Sequence, residues 1–454
     1  MSIMKRYIKQ LKYKPLVAML AMAMVLPACE LDDIPDPNNP TVESLLQNAT
    51  VDDLNNLVVG TVSGMRNGLG TYYDNVGVIG REHYRFSGAD PRFTSDLLGA
   101  VNATLDNNTF YTTTPWSTRY RVVKNTNLLI EAVNNTELIT EEQRQAYLGF
   151  AKTIKAYQLL LNLTMMNENG IRLDVEDPDN LGPIVDKATA LAAISELFDE
   201  AAAHIAQAGE SFPFPLAGFS GNSTASGENE FFDEPAGFLK FNRALAARVA
   251  IYRGNFTEAL SLLEDSFFDL TAPFDRGVYY VFSTSPGDQL NPLYFAPNAA
   301  GEVRIAHPSF IADIAPNDDR ATKVSRREQA ATQSGLTGQY DVALYETNTA
   351  PVPIIRNEEL ILIYAEANIQ TGDLGEAVRA LNIIRRGHGL QPYTGPVTQA
   401  ALIDEMLYQR RYSLYFEGHR WVDLRRYNRL DQLPIDRAGD DVWVNFPIPF
   451  AENI

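Results

Sequence analysis

Two segments far apart in the chain share one detailed pattern: a helix, a glycine turn and a second helix. The first runs through residues 247–263 around Gly254, and the second runs through residues 365–381 around Gly372. In both, small residues let paired helices approach closely, and glycine permits the tight turn. Alanine and large apolar residues cover the inner face of each pair. The pattern is typical of tetratricopeptide repeats, and it predicts a mainly α fold built on helix pairs.

The helix pairs are expected near residues 238–265 and 357–386, with a third pair near 141–208. In the third pair, residues 191–208 place apolar side chains at spacings of three and four, as one face of a helix requires. Because the pairs are not in tandem, the long connections between them should form a second, loop-rich layer. Such a layer is where a ligand site can be built.

Four connections read as irregular, because they mix aromatic residues with turn-forming ones. Together they hold much of the tyrosine and phenylalanine of the chain. They are residues 71–92, 110–116, 212–238 and 275–295. Trp116, at the end of one of them, precedes an amphipathic helical pattern, which favours core packing over a role as a sugar platform.

The N-terminus has the composition of a secretory signal followed by a lipidation site. Five basic residues precede an apolar run at residues 15–26, which ends in Leu26-Pro27-Ala28-Cys29. The run is shorter than the roughly 20 residues that span a bilayer. We therefore expect residues 1–28 to be a lipoprotein signal peptide, and Cys29, the only cysteine, to carry the acyl chains of a lipid anchor.

Residues 29–40 are acidic and proline-rich without apolar periodicity, so they read as an extended tether. Residues 41–454 should then form a single domain. The chain has 38 basic and 57 acidic side chains, and loss of residues 1–28 removes five basic and no acidic ones, which changes the formal charge from −19 to −24. Such a charge excludes nucleic acid as a partner and disfavours highly anionic polysaccharides.

Sequence motifs for catalysis and for cofactors are missing from the chain. The histidines are scattered and form no HExxH pair, and neither a P-loop nor a G-x-S-x-G motif occurs. Residues 177–182 partly imitate a calcium loop, but Leu181 and Ala188 stand where oxygen ligands are needed, so a turn is expected. We expect no catalytic residue, no metal and no cofactor.

Three C-terminal motifs resemble the SusD/RagB family in order and spacing. They are residues 353–367, residues 416–426 with the sequence FEGHRWVDLRR, and Phe446-Pro447-Ile448-Pro449. Upstream, residues 116–129 and residues 151–185 resemble two further signatures of the same family. The resemblance therefore extends over nearly the whole chain after Cys29.

The resemblance implies a SusD-like fold with tetratricopeptide-like helix pairs and a loop-rich ligand-binding layer. It also implies a non-enzymatic lipoprotein at the outer membrane, facing the cell exterior, that binds a nutrient glycan and passes it to a SusC-like TonB-dependent β-barrel transporter. Peptide capture by a RagB-like protein is an alternative. A surface glycoside hydrolase with two catalytic carboxylates is another, because acidic residues are abundant.

We expect the ligand site in the loop-rich layer, within residues 71–92 and 275–295. Aromatic faces and hydrogen-bonding groups occur together there, as a sugar-binding surface needs. Replacement of the paired tyrosines by alanine is expected to weaken binding and to leave folding intact. The predicted ligand-binding residues are Tyr72, Tyr73, Asn75, Arg81, Tyr84, Asp90, Tyr279, Tyr280 and Tyr294.

The charged groups of the FEGHRW motif resemble a catalytic constellation at first sight. If residues 417–425 form one helix, however, Glu417 and Arg420 lie three residues apart on one face. A Glu–Arg pair at that spacing is ordinary helix electrostatics. We therefore expect these residues to be structural.

The lipid anchor can be tested by the substitution Cys29→Ala. Without the thiol no acyl chain can be attached, so the variant should move from the membrane fraction to the soluble fraction after cell lysis. Immunoblots of the two fractions would measure this shift. Retention of the variant in the membrane fraction would contradict the anchor.

Overall fold

The computed structural model describes residues 46–216 and 232–453. The signal peptide, Cys29 and the tether at 29–40 lie outside the described residues, as does part of the connection 212–238. Within the described residues, no helix has both the length and the apolar character needed to cross a membrane.

The described part of the chain contains twelve α-helices. They are α1 Val51–Met65, α2 Leu69–Ile79, α3 Phe110–Asn135, α4 Glu141–Met166, α5 Lys187–Ile205, α6 Pro235–Arg253, α7 Phe256–Glu264, α8 Pro308–Asp313, α9 Asn357–Thr371, α10 Leu374–Gly387, α11 Gln399–Ser413 and α12 Arg420–Arg426. Short 3₁₀ turns occur at Pro91–Phe93, Asn167–Asn169, Asp319–Lys323, Leu430–Gln432 and Phe450–Asn453.

Eight short strands form three antiparallel sheets in the same part of the chain. The strands are β1 His83–Phe86, β2 Ile171–Arg172, β3 Ile184–Val185, β4 Gly277–Tyr280, β5 Val303–Ala306, β6 Val324–Gln333, β7 Leu336–Val342 and β8 Val352–Arg356. One sheet has the order β1-β5-β7-β6, and β2–β3 and β4–β8 form two-stranded ribbons. In the β4–β8 ribbon, Tyr280 pairs with Val352 and Gly277 pairs with Arg356.

The helix pairs lie where the sequence pattern places them, and the predicted mainly α fold is confirmed. Helices α4 and α5, α6 and α7, and α9 and α10 pack against one another as neighbours. Gly254 ends α6 at a φ of 76°, and Gly372 ends α9 at a φ of 93°. This left-handed conformation is accessible to glycine at little cost, which explains the glycine at each turn.

Two connections that the sequence analysis assigned to loops are regular structure, and those assignments are wrong. Most of residues 71–92 lie in α2 and β1, and residues 110–116 form the start of α3. Gly68 adopts a φ of 66° just before α2, so the chain turns there and enters a helix. Trp116 is 4% exposed inside α3, and its indole N–H donates to Glu452 at 2.8 Å, so it packs in the core.

Helix α9 is the centre of the fold, since the residues from Asn357 to Ile363 are all buried. Three of its acidic side chains are buried as well, and each is paired with arginine. Glu359 accepts two hydrogen bonds from Arg248 of α6, both at 2.6 Å. Glu366 accepts two from Arg426 of α12, at 2.7 and 3.1 Å. These pairs join α9 to helices on different sides.

Asn357, the first residue of α9, holds the connection that precedes β4. Its side-chain amide donates to the carbonyl of Asp269 at 2.7 Å, and its side-chain oxygen accepts from the N–H of the same residue at 3.0 Å. A buried amide that bonds both the N–H and the C=O of one residue fixes that segment in place. The start of α9 therefore positions the chain that leads into the β4–β8 ribbon.

The substitution Glu359→Gln should destabilise the protein strongly. It leaves the Arg248 guanidinium buried with no counter-charge, and breaking one side of a buried pair costs about 3–5 kcal/mol. Glu200→Gln is the matched control, because Glu200 is 46% exposed in its pair with Lys152. Loss of this exposed pair should lower the free energy of unfolding by less than about 1 kcal/mol. Urea denaturation followed by circular dichroism measures both, and equal stabilities of the two variants would contradict the prediction.

Candidate functional site

A cleft of about 510 Å³ opens beside the β4–β8 ribbon. We call it the aromatic cleft. Phe274, Tyr279 and Tyr345 line it together with prolines and with the connection between β7 and β8. Its charged lining residues are Asp275, Lys323, Glu346, Arg356, Glu358 and Glu417.

The ribbon explains why Tyr279 lines the cleft and Tyr280 does not. Successive side chains of a strand point to opposite faces, so adjacent tyrosines of β4 separate. Tyr279 lines the cleft, and its hydroxyl donates to the carbonyl of Asp275 at 2.5 Å. Tyr280 enters the core, where its hydroxyl donates to that of Tyr157 at 3.1 Å. The register of the ribbon shifts between Val278 and Tyr279.

One wall of the cleft is a buried ion cluster around Arg356. Its guanidinium donates to Glu417 at 2.6 Å and also to Glu358, whose other oxygen lies 2.6 Å from Nε2 of His388. Burial opposes ionisation of Glu358, but Arg356 and His388 outweigh it and hold the pKa of Glu358 well below its usual value. The cluster is thus charged, satisfied and rigid.

Lys323 completes this wall from the 3₁₀ turn before β6. Its ammonium group donates to the carbonyls of Tyr412 and Ser413 at 2.8 and 2.5 Å. Burial lowers the pKa of Lys323 to about 8, with a further contribution from the nearby Arg356. At neutral pH the amine is still mostly protonated, and its protons are directed at the protein backbone.

Acidic side chains outnumber basic ones around the cleft. Four carboxylates and two basic groups line it, so anionic ligands are disfavoured there. Glu358 and Glu417 are both bound to Arg356, which is the arrangement of a structural ion pair. Among the described residues, no group of three or more His, Cys, Asp or Glu side chains has a geometry that holds a metal ion.

The comparisons with known proteins agree with this architecture. The SusD family model matches residues 336–441, which include β7, β8 and the helices from α9 to α12. A SusD superfamily protein from Bacteroides vulgatus ATCC 8482 superposes with a TM-score of 0.65 at 18% identity, over 89% of this chain and 96% of that one. The chain has a SusD-like fold.

Two further structures show the same SusD-like fold. Surface glycan-binding protein A from Bacteroides uniformis has a TM-score of 0.64 at 16% identity, over 89% of this chain and 97% of that one. A SusD-like carbohydrate binding protein from Bacteroides vulgatus ATCC 8482 has a TM-score of 0.54 at 15% identity, over 83% of each chain. No curated protein sequence matches this chain. The resemblance drawn from the motifs is confirmed.

Within the SusD-like fold, most residues predicted to bind ligand are buried. The hydroxyl of Tyr72 lies 3.0 Å from the hydroxyl of Thr164. The ring of Tyr73 packs edge-on against the ring of Tyr72. Asn75 donates to the carbonyl of Tyr111 at 2.6 Å. Replacing Tyr72 and Tyr73 by alanine would leave cavities in the core, because both side chains are buried. This burial conflicts with the expectation that the double variant folds normally.

The other predicted residues near β1 also serve the scaffold. Arg81 is fully buried and donates to the backbone carbonyls of Leu98 and Asp441 at 3.2 and 2.8 Å. Tyr84 stacks on Phe86 with ring centroids 5.6 Å apart. Asp90 accepts from the N–H of Arg92 at 3.0 Å and caps a 3₁₀ turn.

Of the nine predicted residues, all described, Tyr279 alone lines the aromatic cleft. Tyr294 is half-buried and packs against the main core. Contact between any of the nine and a ligand stays a prediction. The structure gathers other residues at the cleft that sequence reasoning had not placed there, and they are Phe274, Lys323, Tyr345, Arg356, Glu358 and Glu417.

A signal for part of this cleft existed in the SusD-like motifs. Arg356 and Glu358 belong to the first C-terminal motif and Glu417 to the second, and the ion cluster is the place where the two motifs meet. The expected pairing of Glu417 with Arg420 on one helix is wrong. Gly418, at a φ of 83°, separates Glu417 from α12, and Arg420 donates to the carbonyl of Arg81 at 3.0 Å.

Proposed function

We propose that this protein binds a glycan at the cell surface without altering it, and that it delivers the glycan to a SusC-like TonB-dependent transporter. The aromatic cleft in a SusD-like fold is the observation that supports binding. The similarity to a surface glycan-binding protein and to a carbohydrate binding protein, by their printed names, agrees with that choice of ligand.

The chemistry of the cleft suits a neutral sugar chain. Phe274 is only partly buried and offers an apolar face that can lie against sugar C–H surfaces, while the largely buried Tyr279 and Tyr345 line the cleft beside it. Glu346 and Thr347 are exposed at the rim and offer hydrogen-bond partners for hydroxyl groups. The excess of carboxylates penalises a negatively charged chain at this cleft.

Binding without chemistry is supported by the ion pairing of two of the four carboxylates at the cleft, Glu358 and Glu417. A glycoside hydrolase needs one protonated carboxyl group and one free carboxylate beside the scissile bond. At this cleft Arg356 binds both Glu358 and Glu417, and the pKa of Glu358 is held low because Arg356 and His388 outweigh its burial. Glu358 is therefore not poised to donate a proton to a leaving oxygen.

Attachment at the outer membrane through Cys29 is the second part of the proposal. It is supported by the signal-like N-terminus and by the position of the single cysteine directly after it. A lipid anchor followed by a proline-rich tether holds the binding domain close to the membrane, where a transporter can receive the ligand.

The substitution Phe274→Ala should weaken binding of neutral oligosaccharides by about 1–3 kcal/mol, because it removes one large apolar face from the cleft. Phe450→Ala is the matched control, since Phe450 is 55% exposed and does not line the cleft. An array of neutral glycans, acidic glycans and peptides would identify a ligand, and calorimetry would then measure its affinity for both variants.

Two outcomes of that experiment would contradict the proposed site or activity. Equal affinity in the Phe274→Ala and Phe450→Ala variants would place binding elsewhere. Mass spectra of the bound oligosaccharide after long incubation should show an unchanged length, and shortening would identify a hydrolase. A peptide as the sole ligand of the array would favour the RagB-like alternative.

The transporter should be recovered together with this protein from native membranes. Affinity purification through a C-terminal tag in mild detergent should yield a large β-barrel protein, which mass spectrometry would identify. The Cys29→Ala variant serves as the control for membrane attachment. Absence of any barrel protein from the purified lipidated form would contradict delivery to a TonB-dependent transporter.

A further inference from the structure

A second cleft, of about 380 Å³, lies between α11, α12 and the 3₁₀ turn Leu430–Gln432. We call it the arginine cleft, because Arg411, Arg420 and Arg429 all line it. It shares no lining residue with the aromatic cleft. Its two acidic lining residues are Asp404 and Asp423, so basic groups are in excess there, in a protein that is strongly acidic overall.

Two of the three arginines have carboxylate partners that are largely solvated. Arg411 binds Asp313 at 2.9 Å, and Arg429 binds Asp404 at 2.5 Å. Asp313 is 53% exposed and Asp404 is 63% exposed. Exposed pairs of this kind are weak, since water and salt screen them. The Arg429 guanidinium can therefore turn towards a ligand anion at little cost, whereas Arg411 is also held by two hydrogen bonds to Ser309 and lines the cleft in its present position.

Arg420 differs from these two, because it has no such partner. Among the described residues, no carboxylate oxygen lies within 4.0 Å of its guanidinium, and Nη1 donates to the carbonyl of Arg81 at 3.0 Å. Burial and the nearby Arg411 lower the pKa of Arg420 to about 9, so the group is still charged at neutral pH. Arg420 is only partly exposed, and a partly buried cation without a partner carboxylate is an unfavourable arrangement.

The neighbouring carboxylates do not supply the missing charge. Asp423 lines the cleft but already accepts from Arg410 at 2.6 Å and from Arg426 at 2.9 Å. Burial raises the pKa of Glu82 to about 7, so this carboxyl group is only partly ionised at neutral pH. One of its oxygens also accepts from the N–H of Phe416 at 3.1 Å.

We propose that the arginine cleft binds the carboxylate of an acidic sugar, with Arg420 as the central contact. A guanidinium binds a carboxylate through two parallel N–H groups, which a sugar hydroxyl cannot match. Leu407 and Leu424 provide apolar surface for one sugar ring, and Tyr408 and Gln432 provide polar groups at its edge. The assignment is independent of the aromatic cleft and extends the ligand class to glycans that carry uronic acid residues.

The test compares methyl β-glucuronide with methyl β-glucoside, which share one ring and differ only in the carboxylate. Ligand-observed NMR and calorimetry on the purified protein should show binding of the glucuronide, weakened by added salt, and at least about tenfold weaker binding of the glucoside. Arg420→Gln and Arg429→Gln should each lower glucuronide affinity, with the larger loss, about tenfold, in the first.

Arg379→Gln is the matched control, because Arg379 is 56% exposed in a surface pair with Glu376 and lies outside the cleft. This variant should leave glucuronide binding unchanged. Phe274→Ala should also leave it unchanged, because Phe274 lines the aromatic cleft only, so the two clefts are tested separately. If Arg420→Gln does not fold, the more exposed Arg429→Gln still decides the outcome. Equal binding of the two sugars, or unchanged glucuronide affinity in the folded arginine variants, would overturn the proposal.

Discussion

Buried ion pairs along α9 are the interaction on which the rest of the structure depends. Each acidic side chain of this helix is desolvated, and each would be costly without its arginine or histidine partner. Glu358 faces Arg356 and His388, while Glu359, the next residue, faces Arg248. One turn of helix therefore joins the β4–β8 ribbon to α6. Ion pairs of this kind require particular partners, so they fix how the helices are arranged more strictly than apolar contacts do.

This arrangement also supports the proposed ligand site. Arg356 is the last residue of β8 and belongs to the ion cluster, so the strand that borders the aromatic cleft is tied to the core. A site supported in this way is preorganised, and little ordering is needed when ligand binds. The arginine cleft is built differently, because the carboxylates that pair with Arg411 and Arg429, Asp313 and Asp404, are exposed to water.

Local signals in the sequence were enough to predict the helix pairs, but not the site. The glycines at 254 and 372 end helices through their backbone conformation, and that requirement is visible in the sequence. We expected Tyr72 and Tyr73 in a loop, because aromatic composition alone does not distinguish a loop from a buried helix. Their helical spacing from Leu69 and Val76 was the signal that pointed to α2. The aromatic cleft joins residues from 274 to 417, and such long-range proximity leaves no local pattern.

The connection between β7 and β8 has a consequence for how this protein can diversify. Its exposed residues Glu346 and Thr347 line the aromatic cleft, yet neither belongs to the ion pairs of α9. Substitutions at the rim of the cleft can therefore alter selectivity while the scaffold keeps its stability. Loops that tolerate change beside a rigid framework allow new ligands to be acquired by small mutational steps. Related chains can then share one architecture and differ in what they capture.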